Sequence, residues 1–246
     1  MRLLSSILEK TIALVFPNTC LICNKISSLK HFCKNCLPPP KLISLKTCDK
    51  CGLPVKLCAC KWNFYYFDKM ISCLEADDKT KSAFYSFKFG GNRSGYEFFS
   101  LKMVERLKEK QGDFEIDIIT SVPSHKSTLN ERGYDQVKLL AKGISRQLKV
   151  KYIPLLKQPK KASKQHETNT IEQRFSNVVS KYSFCNNCNI KGKTILLVDD
   201  IKTTGATLSQ CAKELKLSGA ESVIAITALT VYPKNKDEEK QTVEKK

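Results

Sequence analysis

The sequence contains no apolar run approaching the roughly 18 residues a membrane-spanning helix needs, so an integral membrane protein is not expected. Residues 1–17 hold Leu3, Leu4, Ile7, Leu8, Ile12, Leu14, Val15 and Phe16, but Glu9 and Lys10 interrupt them and no small-residue cleavage site follows. That pattern fits an amphipathic helix packed on its own protein better than a secretory signal, and a cytoplasmic location is the expectation. The Gly-x-x-x-x-Gly-Lys-Ser/Thr loop is missing, as is the Gly-x-Gly-x-x-Gly dinucleotide fingerprint. Acidic residues are scarce: 24 Asp and Glu face 42 Lys and Arg, a net charge of +18. Such a balance attracts nucleic acid, anionic membrane or a phosphorylated substrate. No aromatic-rich nucleic-acid motif chooses among them, and a lysine-biased composition would give the same excess.

Cysteine, by contrast, is abundant. Eight of the 12 fall between Cys20 and Cys60, as Cys20-x-x-Cys23, Cys33-x-x-Cys36, Cys48-x-x-Cys51 and Cys58-x-Cys60. Two thiolates two residues apart grip one face of a tetrahedral ion, and a second such turn completes the site. A disulfide framework needs an exporting context, which the sequence does not suggest. The simplest pairing gives one zinc to Cys20, Cys23, Cys33 and Cys36, and a second to Cys48, Cys51, Cys58 and Cys60. An interleaved pairing and a single zinc remain open. Cys58-x-Cys60 is a tighter chelate than the usual knuckle. The segment has few apolar side chains, so metal would supply most of its folding energy. Cys185 and Cys188 form a separate pair whose role is open between redox chemistry, a bridging site and plain thiols. Cys73 and Cys211, in apolar surroundings, read as buried structural residues.

After Cys60 the pattern becomes α/β. Strands are expected over 69–76, from Ile116, over 150–156, over 193–199 and over 223–231. Helices are expected over 78–87, 93–110, 134–148 and about 206–218. Strand, helix, strand at this pitch means parallel crossovers. Residues 157–180 are long, polar and without periodicity, as a lid or functional loop would be. The expected organisation is therefore an amphipathic helix over 1–17, a double zinc ribbon over 18–64, a main domain over 65–232 and a charged, disordered tail over 233–246.

The chemistry concentrates in Ile195-Leu-Leu-Val-Asp-Asp-Ile-Lys-Thr-Thr-Gly-Ala-Thr207. Four apolar residues make a core strand. Asp199 and Asp200 follow at its carboxyl end, where ligands bind in open parallel sheets. Lys202, Thr203, Thr204, Gly205, Ala206 and Thr207 then offer backbone N–H groups, hydroxyls and a helix N-terminus, the makings of a monophosphate cradle. Acids beside such a cradle suit a sugar phosphate: the carboxylates hold ribose hydroxyls while the cradle holds the 5′-phosphate.

This run resembles the signature of phosphoribosyltransferases that use 5-phosphoribosyl-1-diphosphate (PRPP). Further segments resemble the ComF family in particular: the loop from Val122 through Pro123, Ser124, His125, Lys126 and Arg132 to Gln136; the short Phe87-Lys-Phe-Gly90; the region Gln165 to Asn177; and the paired cysteine knuckles. The resemblance runs from about Leu3 to Tyr232. It implies a type I phosphoribosyltransferase-like fold, a parallel sheet of about five strands flanked by helices, with a small zinc-ribbon domain at the N-terminus. It also implies that Asp199 and Asp200 bind the ribose hydroxyls, directly or through Mg²⁺, and that 203–207 cradle the phosphate. Pro123, Ser124, His125 and Lys126 would face the pyrophosphate, with Lys126 as the leaving-group contact and Arg132 and Gln136 bracing their loop. Family members are linked to natural transformation, so single-stranded DNA and a competence helicase or uptake proteins become expected partners. Three positions depart from the family pattern: Lys202 stands where a bulky residue is common, Thr168 where Leu is expected, and Asp135 replaces a common Asn.

Overall fold

The computed structural model describes residues 18–43, 46–58, 60, 65–92, 94–110, 115–124, 129, 133–158, 182–185 and 188–232. The helix expected over 1–17, residues 159–180 of the expected lid, the tail over 233–246, and the individual residues His125, Lys126 and Arg132 lie outside them.

Strands β1 (Lys69–Glu75), β2 (Ile118–Ser121), β5 (Thr194–Lys202) and β6 (Ser222–Thr230) form one parallel sheet in the order β1-β6-β5-β2. A separate antiparallel pair joins β3 (Leu156–Lys157) to β4 (Ser183–Phe184). Among the described residues the α-helices are α1 (Asp78–Lys88), α2 (Gly95–Lys110), α3 (Gln136–Leu148) and α4 (Ala206–Leu217).

The alternation of side chains along β5 explains its continuous apolar run. Leu196 and Val198 face a core shared with Phe84, Phe87, Phe99, Leu140 and Ile144 from α1, α2 and α3. Ile195 and Leu197 face a second core with Leu208, Cys211 and Leu215 of α4. A strand covered on both faces has no polar side to show. Cys73 and Cys211 are both fully buried, as expected.

Two helix starts follow their caps. Asp77 accepts from Thr80 N–H at 2.6 Å, and Asp135 accepts from Lys138 N–H at 2.9 Å. The cysteine-rich segment is laid along the free edge of β1: Ile43 N–H donates to Cys73 O at 2.9 Å and Met70 N–H to Asp49 O at 2.7 Å. Leu21 and Phe32 enter the first core, and Phe32 meets Phe98 edge-on at 4.9 Å.

The structure corrects three expectations. The main sheet has four strands among the described residues rather than about five. Of the strand expected over 150–156, Tyr152 makes one parallel bridge to Ile119 and Leu156 begins β3; the N–H that would continue the ladder, that of Leu155, donates instead to Thr120 Oγ1 at 3.1 Å. The strand expected over 193–199 runs on through Lys202, which pairs with Thr230 of β6.

Candidate functional site

The carboxyl ends of β5 and β2 lie side by side. Ser121 is opposite Val198, and Val122 N–H donates to Val198 O at 2.9 Å, so Pro123 and Ser124 leave the sheet next to Asp199 and Asp200. The two carboxylates are tied to their own strand. Asp199 Oδ1 accepts from Asp200 N–H at 2.8 Å, and Asp200 Oδ1 accepts from Ile201 N–H at 2.7 Å. Asp199 is only 8% exposed. Burial, and then the charge of Asp200, push its carboxyl well above the usual carboxylate range.

Residues 203–205 turn from β5 into α4. Gly205 has φ +84° and no side chain of its own to cap the helix it opens; Thr204 Oγ1 takes the Ala206 N–H at 3.3 Å, and the next first-turn N–H groups are left toward the concavity in front of them. That concavity is lined by Asp199, Ile201 and Lys202 through Leu208. A Cβ on Gly205 would stand 3.3 Å from the Tyr65 ring, whose hydroxyl donates to Thr204 O at 3.1 Å. Thr203, Thr204, Ala206 and Thr207 are exposed at this surface. Lys202 is buried at 3% exposure and donates to Thr203 O at 3.4 Å; burial lowers its ammonium.

The cysteines gather into two sets, Cys20, Cys23, Cys33, Cys36 and Cys48, Cys51, Cys58, Cys60, each with all four sulfurs within 4.8 Å of one another. Sulfurs on a tetrahedral zinc at about 2.3 Å lie about 3.8 Å apart. The observed separations are 3.7 Å for Cys23–Cys33 and Cys48–Cys60 and 3.6 Å for Cys51–Cys58, and the Cys58–Cys60 chelate is tighter at 3.2 Å. Burial alone would raise the Cys20 thiol, but backbone N–H groups of Cys23, Cys33 and Ile22 outweigh it and bring the group down to about 6. The simple pairing is therefore the one the chain adopts, and both sets fit zinc.

Residues 137–246 match the family model for the phosphoribosyl transferase domain. The chain is also 28% identical over 209 residues to "Competence protein ComFC" of Bacillus subtilis (strain 168), covering 80% of this chain and 83% of that one. Over residues 137–246 the chain is thus similar to a phosphoribosyl transferase domain, and over most of its length to ComFC. Among solved structures it is similar to the glutamine PRPP amidotransferase of B. subtilis, 17% identical with a TM-score of 0.39 over 56% of this chain. It is also similar to the adenine phosphoribosyltransferase of Thermoanaerobacter pseudethanolicus, 15% identical with a TM-score of 0.36, over 58% of this chain and 83% of that one. The chain spans 27% of the amidotransferase's length.

In this chain the fold brings together Asp199, Asp200, Pro123, Ser124 and 202–207. Ser124 Oγ donates to Asp135 at 3.0 Å, which fastens the start of the β2 loop to the cap of α3. Gln136, read as a loop brace, donates from Nε2 to Lys88 O at 3.1 Å. Two residues escaped the sequence reading. Lys88 reaches Asp200 at 2.5 Å across 112 residues of sequence. Tyr182 stands beside Thr207 and Asp199, and its hydroxyl is pushed up to about 12 by burial, then by the Cys211 and Asp199 charges. The only sequence signal for either was position: Lys88 in Phe87-Lys-Phe-Gly90, and Tyr182 at the end of the aperiodic stretch. Among the described residues no helix is long and apolar enough to cross a membrane.

Proposed function

We propose that this protein binds PRPP at the carboxyl end of β5 and transfers its phosphoribosyl group to an acceptor, releasing pyrophosphate. The observation that carries this reading is the junction of Asp199 with the Gly205 turn within one concavity, with Asp200 beside it at the end of β5. The carboxylates would take the ribose 2′- and 3′-hydroxyls, and Thr203, Thr204, Gly205, Ala206 and Thr207 the 5′-phosphate. Pro123, Ser124, His125 and Lys126 would face the pyrophosphate, with Arg132 bracing their loop. Hard carboxylate oxygens suit Mg²⁺, and Asp199 and Asp200 would hold it; when bound, it neutralises charge on the leaving pyrophosphate.

Displacement at ribose C1 passes through an oxocarbenium-like state. The chain's contribution is to fix the sugar by its hydroxyls and 5′-phosphate and to hold the leaving group with cationic side chains. The segment 157–180 would act as the lid that keeps water from C1. The test is pyrophosphate release from Mg²⁺ and PRPP on addition of nucleobases, amines or single-stranded DNA. Release dependent on one acceptor and lost in Asp199→Asn supports transfer; acceptor-independent release at the background rate rejects it.

A second reading rests on the surface of the cysteine-rich segment. Lys25, Lys30, Lys34, Lys41, Lys46, Lys50 and Lys56 are all exposed there, and Asp49 is the one acid between residues 18 and 58. Such a face suits a polyanion, and the competence relative makes single-stranded DNA, with the uptake machinery that handles it, the reading's partner. The site would then bind PRPP without turnover. DNA affinity falling steeply with salt, and lost on zinc chelation, supports it.

A further inference from the structure

Lys88 is the last residue of α1, yet its side chain leaves the helix and crosses to the end of β5, where Nζ meets Asp200 Oδ2 at 2.5 Å. The two side chains are 17% and 16% exposed, so the pair is too dry to count as an ordinary surface bridge. Asp200 Oδ1 is already held by Ile201 N–H. Both oxygens of Asp200 are therefore engaged, and a ribose hydroxyl or a cation arriving at Oδ2 competes with the ammonium for that oxygen.

The displaced ammonium needs a new anion, because leaving one partner of a half-buried pair uncompensated is costly. The backbone of Lys88 does not move to find one. Gln136 holds Lys88 O at 3.1 Å, and the Tyr134 hydroxyl donates to Phe87 O. Tyr134 and Gln136 belong to the returning limb of the loop that leaves β2, so the root of Lys88 is fastened to the segment read above as the pyrophosphate loop. Only the flexible four-carbon stem is left to swing.

We propose that Lys88 is an exchange cation: it occupies Asp200 in the empty site and passes to the diphosphate when ribose hydroxyls or a cation take the carboxylate. The inference rests on the PRPP reading above. Lys88 thereby acts as a specificity determinant for ligands that carry a diphosphate. A ligand without one, such as ribose 5-phosphate, has nothing to offer the displaced ammonium and competes with it for Asp200.

The test is calorimetric titration of the full zinc-loaded chain, in Mg²⁺, with PRPP and with ribose 5-phosphate, for the wild type, Lys88→Met and Lys88→Arg. In Lys88→Met, PRPP affinity falls about tenfold or more, as expected for a lost charge-assisted contact, while ribose 5-phosphate binds as well as before or better. Lys88→Arg recovers part of the preference. Equal loss for both ligands, or an unchanged preference, overturns the inference and leaves the PRPP reading standing. A wild type that binds neither ligand overturns both. Should Lys88→Met fail to fold, Asp200→Asn gives the reverse reading: the freed ammonium raises affinity for inorganic pyrophosphate by about threefold or more, and no gain overturns the inference.

Discussion

Asp199 and Asp200 are consecutive in β5, and the N–H of Asp200 donates to Oδ1 of Asp199 at 2.8 Å. That bond fixes one carboxylate against the other's backbone and keeps two like charges at one strand end. The Asp199 carboxyl is raised well above its ordinary 3.8, by burial first and by Asp200 second. The folded chain therefore binds this proton more tightly than the unfolded chain. As pH rises from 3.8 through the raised value, the folded state loses stability relative to the unfolded, and above it the loss is complete. Asp199→Asn is expected to raise the melting temperature of the ligand-free protein at neutral pH, and the gain shrinks toward pH ~4. Melting curves across that range check it; a variant less stable at neutral pH contradicts it.

Gly205 stands at φ +84° with the Tyr65 ring 3.3 Å from where a Cβ would be. Gly205→Ala forces an L residue into the left-handed region and crowds that ring. The expected cost is about 1–2 kcal/mol, read by denaturant unfolding. Tyr65→Ala relieves the crowding only, so the double variant recovers part of that cost and no more.

The cysteine-rich segment shares a core with the sheet domain through Leu21 and Phe32. Chelation of zinc should therefore destabilise more than residues 18–60. Chelator is expected to lower the melting temperature of the whole chain and expose the patch around Phe98, seen as increased dye binding. Phe32→Ala, with zinc retained, should cost about 3–5 kcal/mol. A chelated protein that melts as the loaded one does would show that the two parts are energetically separate.

Tyr182 stands beside Thr207, and its hydroxyl, at about 12, stays protonated at neutral pH. It can therefore donate toward the cradle. Tyr182→Phe removes only that oxygen. Phosphate-bearing ligands are expected to bind about 5–10-fold more weakly, with the fold intact by circular dichroism. Unchanged affinity would assign the hydroxyl to packing alone.

Local signals carried much of this fold. Ile195 to Val198 reads as a core strand because both of its faces are covered, and the cysteine spacing anticipates the two observed sets because chelation by short turns is a local matter. What the sequence concealed depends on distant partners. Asp200 to Lys202 lies past the strand expected over 193–199, but β6 still offers backbone partners out to Thr230, so the strand continues. Residues 150–156 carry strand-forming side chains, yet the Leu155 N–H turns to the Thr120 hydroxyl and the ladder stops. Lys88 finds Asp200 only through the packing of α1 on the sheet, which no local pattern announces.

The most direct measurement is a calorimetric titration of the zinc-loaded protein with PRPP in Mg²⁺, alongside an Asp199→Asn, Asp200→Asn double variant. The account predicts saturable one-site binding by the wild type and none by the folded variant. Absence of binding by the wild type, or equal binding by both, would contradict it.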